Sequence, residues 1–107
     1  MPADGFIAMR TLDLAGEPSR AVTVAIKPPV ADGGDYRCEF QIVGLGTDQI
    51  RHAMGIDGAQ ALMLALKLIG TVLYTSEESK QGRLTWLGCR NLDFPVPDSI
   101  ADLVPKD

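Results

Sequence analysis

Apolar and polar side chains alternate through much of the first half of the chain, which is the pattern of β-strands with one buried face. The stretch YRCEFQIVG, residues 36–44, shows this alternation most clearly. Its apolar positions are Tyr36, Cys38, Phe40 and Ile42, and the polar positions between them are Arg37, Glu39 and Gln41. Related patterns in GFIAMRTLDL (5–14), RAVTVAIK (20–27) and QIRHAMGI (49–56) predict three further strands.

Turn-forming residues separate these strands. Pro28 and Pro29 end the second strand, because proline cannot donate a hydrogen bond to a sheet, and PPVADGGD (28–35) is expected to be a loop. GLGTD (44–48) ends the third strand. Since the connections are short, consecutive strands are expected to pair antiparallel.

The stretch GIDGAQALMLALKLIGTVLY, residues 55–74, changes to helical spacing. Asp57 is the expected N-cap, since its carboxylate can accept hydrogen bonds from the exposed amides of the first turn. Gln60, three residues later, completes a pattern similar to a capping box. We expect the helix to end near Tyr74 or Ser76.

The polar residues Gln60, Lys67 and Thr71 fall in one narrow stripe of this helix, and apolar residues occupy the opposite side. A helix that spans a membrane needs about 20 mainly apolar residues. The shorter and interrupted run here predicts a core helix and argues against a membrane segment.

The apolar arc of the helix is wider than one sheet face needs. Leu64 lies beside Lys67 in projection, with Met63 and Tyr74 on its flank. One interpretation is that residues 94–104 fold over this flank; another is that the flank contacts a second copy or another protein. A groove for a small ligand is a third. The predicted contact residues are Met63, Leu64, Lys67, Thr71 and Tyr74.

The remaining chain adds one strand and a short helical end. SEESKQG (76–82) closes the helix, and RLTWLGC (83–89) predicts a fifth strand. A loop rich in proline follows, and Asp98 is the expected cap of a last helical turn. The predicted fold is α+β in the order β-β-β-β-α-β: a single domain, residues 1–107, with one long helix on one face of an antiparallel sheet of about five strands.

The opposite face of the sheet is expected to be polar. Arg37, Glu39, Gln41 and Arg51 should share it, where charged side chains can pair between strands. If nothing covers this face, it becomes a second candidate binding surface.

Charge argues against nucleic acid as a partner. The chain of 107 residues carries a formal charge of −4, from 10 Lys and Arg against 14 Asp and Glu, and its basic residues are scattered. A protein that follows a phosphate backbone usually shows a basic cluster. The apolar fraction of 46% argues against disorder, because it can offset the entropy cost of folding.

The cysteine count and the first residues favour a cytoplasmic protein. Two cysteines, Cys38 and Cys89, are too few for the disulfide framework of a small secreted domain. MPADGFIAMRTLDL (1–14) has neither a basic first region nor an uninterrupted apolar run, so no signal peptide is expected.

Candidate chemistry is sparse. A nucleophilic arrangement of Cys38, His52 and Asp57 can be drawn, but a reactive thiol needs an exposed, electropositive site, and Cys38 has the spacing of a core residue. Two distant cysteines and one histidine do not supply a zinc site. We therefore expect no catalytic residue, metal or cofactor. A ligand pocket between helix and sheet, if present, should be lined by Cys38, His52 and Trp86.

The stretch GIDGAQALMLAL, Gly55 to Leu66, fits the pattern G-[IV]-D-x-x-Q-A-L-x-L-A-L. With RTLDL, GGDYRCEFQIVG, LYTS, LTW and FPVP, it resembles a small bacterial family known only as a domain of unknown function. The resemblance implies a bacterial source and one small domain. It assigns no catalytic or binding residue.

These observations favour a small, non-enzymatic accessory protein that forms a homodimer or binds another protein. The alternative is a small ligand-binding or enzymatic domain with its pocket between helix and sheet. The first hypothesis places the binding surface on the helix flank, and the second places it in an internal cavity.

Overall fold

An antiparallel sheet with one long helix on one face forms the architecture in a computed structural model that describes residues 5–46 and 48–107. The strands are β1 (Ala8–Leu14), β2 (Arg20–Ile26), β3 (Val30–Asp32), β4 (Asp35–Val43), β5 (Ile50–Gly55) and β6 (Leu84–Thr85). The helices are α1 (Gly58–Tyr74) and α2 (Glu77–Lys80), and a 3₁₀ segment covers Asp98–Leu103. The predicted α+β class is confirmed. The turn predicted at 44–48 includes Thr47, and the signal-peptide prediction includes residues 1–4; these positions lie outside the described residues.

The sheet is ordered β5-β4-β2-β1-β6, with β3 beside β2 on the same edge of β4. Our expectation that residues 28–35 form only a loop is wrong, because β3 resumes pairing with β4 directly after the two prolines. Gly33 and Gly34 then turn the chain with positive φ angles of 60° and 92°. Two such residues between strands are typical of a tight hairpin. The pair Gly33-Gly34 was therefore the sequence signal for β3, the strand that was not predicted.

Alternation along the strands directs the apolar side chains towards α1. The buried positions on this helix-facing side are Leu12, Leu14, Val22, Val24, Ile26, Cys38, Phe40 and Ile42. Helix α1 covers β4 and β5 with Ala61, Ala65, Ile69 and Leu73. The core thus lies between one sheet face and one helix, as the 2-residue and 3.6-residue periods predict.

The other sheet face carries no helix in the described part of the chain. Arg37, Glu39 and Gln41 lie on it, and His52 joins them because it is the direct cross-strand partner of Glu39. Arg51 does not, which corrects the prediction. Its partner is Phe40, so strand parity places Arg51 on the helix side.

The chain after α1 adds the last strand and the 3₁₀ segment. Strand β6 is shorter than predicted, because the backbone groups of Trp86 and Cys89 bond to each other at 2.8 and 2.9 Å and form a tight turn. Asp98 is the first residue of the 3₁₀ segment and makes no capping hydrogen bond. The expectation that it caps this turn is therefore wrong; Pro97 occupies the cap position.

Candidate functional site

Two side chains define the start of α1 as predicted. Asp57 Oδ1 accepts a hydrogen bond from the Gln60 amide at 2.8 Å. The Gln60 Oε1 atom accepts from the Ile56 amide at 2.8 Å. Because donors of the first turn and of the entering chain are both satisfied, the helix starts at a defined residue.

The exposed flank of α1 is narrower than expected. Met63 is 57% exposed and Leu64 is 40% exposed, whereas Tyr74 is only 1% exposed. Tyr74 therefore has no accessible surface to offer a partner, and the predicted contact surface is corrected by removing it. Lys67 is exposed and Thr71 is half-buried.

Residues 91–98, called the C-terminal segment below, cover the last turns of α1, which explains the burial of Tyr74. Its hydroxyl accepts a hydrogen bond from the Leu92 amide at 2.8 Å and donates to Asn91 Oδ1 at 3.3 Å. Gly70 lets the segment approach, since a Cβ there would overlap the Pro95 carbonyl oxygen. Of the predicted covering residues, 94–104, Pro95 lies against Gly70. The groups that bond to Tyr74 precede that range, and Met63 and Leu64 stay exposed. Contact of this flank with a partner or a small ligand stays a prediction.

An open groove of about 400 Å³ runs between α1 and this segment. Its lining consists of Leu64, Lys67, Leu68, Thr71, Pro97 and Asp98. The Thr71 hydroxyl donates to the Lys67 carbonyl at 2.9 Å. The ammonium of Lys67 has no carboxylate within 4.0 Å among the described residues. The groove thus has an apolar wall, with the positive charge of Lys67 on the helix side and the negative charge of Asp98 on the opposite side.

Arg10 joins the C-terminal segment to β1. Its Nη1 donates to the carbonyls of Leu92 and Asp93, each at 3.0 Å. The guanidinium carbon lies 4.0 Å from the ring centre of Trp86 and 4.7 Å from that of Phe94. Such stacking of a planar cation on aromatic faces is favourable. The sequence signal for this cluster was Arg10 at an apolar position of β1.

A cleft beside Arg10 lies between helix and sheet. It is lined partly by Val24, Ile26, Leu66 and Phe94, and its volume is about 150 Å³. Sites for small molecules usually enclose about 300–1,000 Å³. The volume of this cleft is below that range.

The side chains predicted to line a ligand pocket do not converge. Cys38 is buried on the helix side of the sheet, where its Sγ donates to the Lys27 carbonyl at 3.4 Å. His52 is exposed on the opposite face, and Trp86 packs against Arg10. Since the sheet separates Cys38 from His52, the Cys–His–Asp arrangement does not form.

The environment of Cys38 also disfavours a thiolate. Burial is the main cause that raises the pKa of the Cys38 thiol above its ordinary value, and the negative charge of Glu39 raises it further. A nucleophilic cysteine needs the opposite shift. Cys38 is a core residue.

No cluster of three or more His, Cys, Asp or Glu side chains suited to a metal ion occurs among the described residues. Within the same part of the chain, no helix is long and apolar enough to cross a membrane.

The uncovered sheet face is the second candidate surface. Its centre carries ion pairs: Glu39 lies 3.7 Å from Lys27 and 3.5 Å from Arg37. At the edge, β5 presents exposed Ile50 and Met54 on the same face. The face therefore changes from charged to apolar towards its free edge.

A family model described as "Domain of unknown function (DUF6968)" matches residues 8–96. The chain belongs to the DUF6968 family. The resemblance to a domain of unknown function is thus confirmed, while the bacterial source and the helix signature stay predictions. No curated protein and no solved structure matches the chain.

The DUF6968 match covers all six strands, α1 and the segment that crosses it, and ends at Val96. The helix wall of the groove lies inside the matched region. Pro97 and Asp98 on the opposite wall lie outside it. The groove is therefore built partly from the family domain and partly from residues that follow it.

Proposed function

We propose that this chain is a non-enzymatic interaction module that docks on another protein through the groove of α1. The observation that carries the proposal is the exposure of Met63 and Leu64 beside this groove. Neighbouring apolar side chains that stay exposed in a folded domain, next to polar groups, are a common mark of contact surfaces.

The chemistry of the groove indicates what its partner presents. Leu64 and Leu68 offer an apolar wall for one bulky side chain. Lys67 offers a positive charge on the helix wall, away from Asp98 on the opposite wall, and an acidic group on the Lys67 side of the inserted side chain would complement it. The expected partner segment thus carries a large apolar residue next to an aspartate or glutamate.

Burial of the apolar wall of the groove contributes part of the free energy of docking. Removing a leucine side chain from water contributes up to about 1.5–3 kcal/mol, and Leu64 is already partly covered, so its share is smaller. The groove alone therefore supports a transient contact; a tight complex needs further surface around it.

Several features favour binding over catalysis. The Cys38 thiol is buried with a raised pKa, and His52 lies across the sheet from it. An enzyme site usually brings such groups together in a concave pocket. We place the module in the cytoplasm, because Cys89 is an exposed thiol without a disulfide partner and a reducing compartment suits it.

The test places a photoreactive phenylalanine analogue at position 63 in the organism that encodes the chain. We expect a covalent adduct that disappears when Leu64→Glu is added and persists when Ala59→Glu is added. Ala59 is exposed on the same helix and does not line the groove, which makes it a matched control. An adduct insensitive to Leu64→Glu would remove the groove from the proposal.

Light scattering on purified protein separates the two kinds of partner. A dimer that Leu64→Glu converts to a folded monomer means that the groove contacts a second copy. If wild type and Leu64→Glu have the same mass and only the wild type forms the adduct, the partner is a different protein.

A further inference from the structure

The two edges of β4 can be told apart by one hydrogen bond. The Lys27 amide donates to the Glu39 carbonyl at 2.8 Å. In an antiparallel pair of strands, a hydrogen-bonded residue directs both its N–H and its C=O at the same neighbour. The backbone groups of Glu39 therefore face β2, and those of Cys38 and Phe40 face β5.

This alternation determines which backbone N–H and C=O groups of β5 bond to β4. Ala53 and Arg51 are the partners of Cys38 and Phe40, so their backbone groups face β4. The backbone groups of the alternate residues, Ile50, His52 and Met54, face away from the sheet. Among the described residues, no hydrogen bond outside the strand ladder reaches any of them.

Strand β5 is also accessible along its length. Ile50, Arg51, His52 and Met54 are all exposed, and Ala53 is half-buried. Natural sheets usually protect such an edge with charged side chains, proline, a bulge or a covering segment. The sequence IRHAMG contains no proline, and β5 pairs with β4 in an unbroken register. Its one arginine, Arg51, lies on the helix side, so the row of Ile50, His52 and Met54 carries no lysine, arginine or carboxylate to oppose pairing.

We propose that β5 pairs antiparallel with β5 of a second copy, around a two-fold axis at His52. The register of this β5–β5 pairing follows from the backbone groups that do not bond to β4. Residues 50, 52 and 54 of one copy must meet the same set in the other, and only centring on His52 pairs all of them. Ile50 then faces Met54 of the second copy, and His52 faces its own counterpart.

The strand is complementary to itself in this register. Each of these pairs exchanges two hydrogen bonds between N–H and C=O. On the polar face of the sheet, Ile50 contacts Met54 of the second copy at both ends of the pairing. Arg51 lies on the opposite side of the sheet, so no two like charges are aligned on the row that forms this contact.

A second copy suits this edge because the exposed apolar side chains Ile50 and Met54 of one copy meet Met54 and Ile50 of the other, so each has an apolar partner across the axis. Such an isologous contact closes on itself and gives a dimer without further growth. The sheet becomes continuous across both copies. The contact uses a surface distinct from the groove of α1 and does not depend on the docking function.

Light scattering after size exclusion tests the pairing with the full chain. The wild type should have twice the monomer mass. His52→Pro removes a central N–H that the β4–β5 ladder does not use, so it should give a folded monomer, while His52→Ala keeps that N–H and should stay dimeric. A monomeric wild type at high concentration, or a folded dimeric His52→Pro, would overturn the proposal.

Disulfide trapping tests the register independently of the proline variant. In a Cys89→Ser background, His52→Cys should form a covalent dimer on mild oxidation, because directly paired Cα atoms lie about 5.5 Å apart. Met54→Cys is the control: its counterpart would be four residues away along the strand, roughly 13 Å. Equal trapping of both variants, or of neither, would contradict the register.

The same measurements distinguish this contact from the groove. Leu64→Glu should leave the β5 dimer intact. A dimer lost in Leu64→Glu and retained in His52→Pro would mean that the copies meet through α1, and the edge pairing would be wrong.

Discussion

The hydroxyl of Tyr74, at the end of α1, accepts a hydrogen bond from the backbone amide of Leu92 at 2.8 Å. Both residues are buried. This contact fixes the C-terminal segment on the helix, on the part of its apolar arc that one sheet face does not need. It therefore decides how much of the helix flank is left for a partner.

Tyr74→Phe should destabilise the fold, because it leaves the buried Leu92 amide without an acceptor. The cost of such an unpaired group is about 1–3 kcal/mol. Denaturant unfolding measures it. Tyr36→Phe is the control, since Tyr36 is exposed and its hydroxyl makes no hydrogen bond among the described residues; equal effects of both changes would refute the role of the Tyr74 hydroxyl.

Gly70→Ala should also be destabilising, although alanine is the better helix former. The new Cβ would overlap the Pro95 carbonyl oxygen and lie 2.9 Å from a Val96 methyl group. Overpacking of this kind costs about 1–3 kcal/mol, against a propensity gain of about 1 kcal/mol. Gly58→Ala is the matched change, since its Cβ would meet Pro29 at an ordinary 3.5 Å. We expect a lower melting temperature for Gly70→Ala and an unchanged or higher one for Gly58→Ala.

Asp57→Ala should cost about 1 kcal/mol, because the Gln60 amide loses its acceptor at the start of α1. Asp98→Ala should change the free energy of unfolding little, since Asp98 makes no capping hydrogen bond. Chemical denaturation of the two variants side by side checks this. A larger effect at Asp98 would contradict the assignment of the caps.

Arg10→Lys should loosen the C-terminal segment while keeping the charge. An ammonium cannot reproduce the planar stacking on Trp86 and Phe94 together with the paired donation to two carbonyls. We expect faster amide exchange at Leu92 and a shift in the fluorescence of Trp86, the sole tryptophan. Arg20→Lys serves as the exposed control and should alter neither signal.

The Cys38 thiol should make stability depend on alkaline pH. Its pKa is raised in the fold, first by burial and then by the charge of Glu39. The fold therefore favours the protonated thiol, and this contribution is complete below the unfolded pKa of about 8.5. It is lost as pH rises through the higher pKa of the folded state. The free energy of unfolding should fall above about pH 8.5, and less steeply in Cys38→Ala.

Thiol labelling gives a second measure of the same environment. Cys89 is exposed and should react rapidly at neutral pH, whereas Cys38 should react only after denaturation. Rapid labelling of both cysteines in the folded protein would show that Cys38 is not held in the core.

Local patterns in the sequence were sufficient for five of the six strands, the helix and its cap. The alternation around Cys38 and Phe40 predicts their burial, because a strand turns successive side chains to opposite faces. Asp57 and Gln60 predict the start of α1, since capping involves neighbours along the chain. The short strand β3 was not predicted, although Gly33 and Gly34 carried the signal of the hairpin that joins it to β4.

Contacts between distant segments decided the rest. Tyr74 belongs to the core because Leu92 reaches its hydroxyl, and the sequence around Tyr74 contains no trace of that partner. Arg10 stacks on Trp86 only because β1 and β6 are neighbours in the sheet.

The sequence by itself determined which side chains face the core and where the chain changes from strand to helix, because both depend on residues that are close along the chain. Only the tertiary structure decided which apolar residues stay exposed, since it set what crosses α1 and which strand ends the sheet. Met63 and Leu64 stay uncovered because the C-terminal segment crosses α1 further on, near Gly70. His52 lies on a free edge because nothing in the described chain pairs with β5 beyond it.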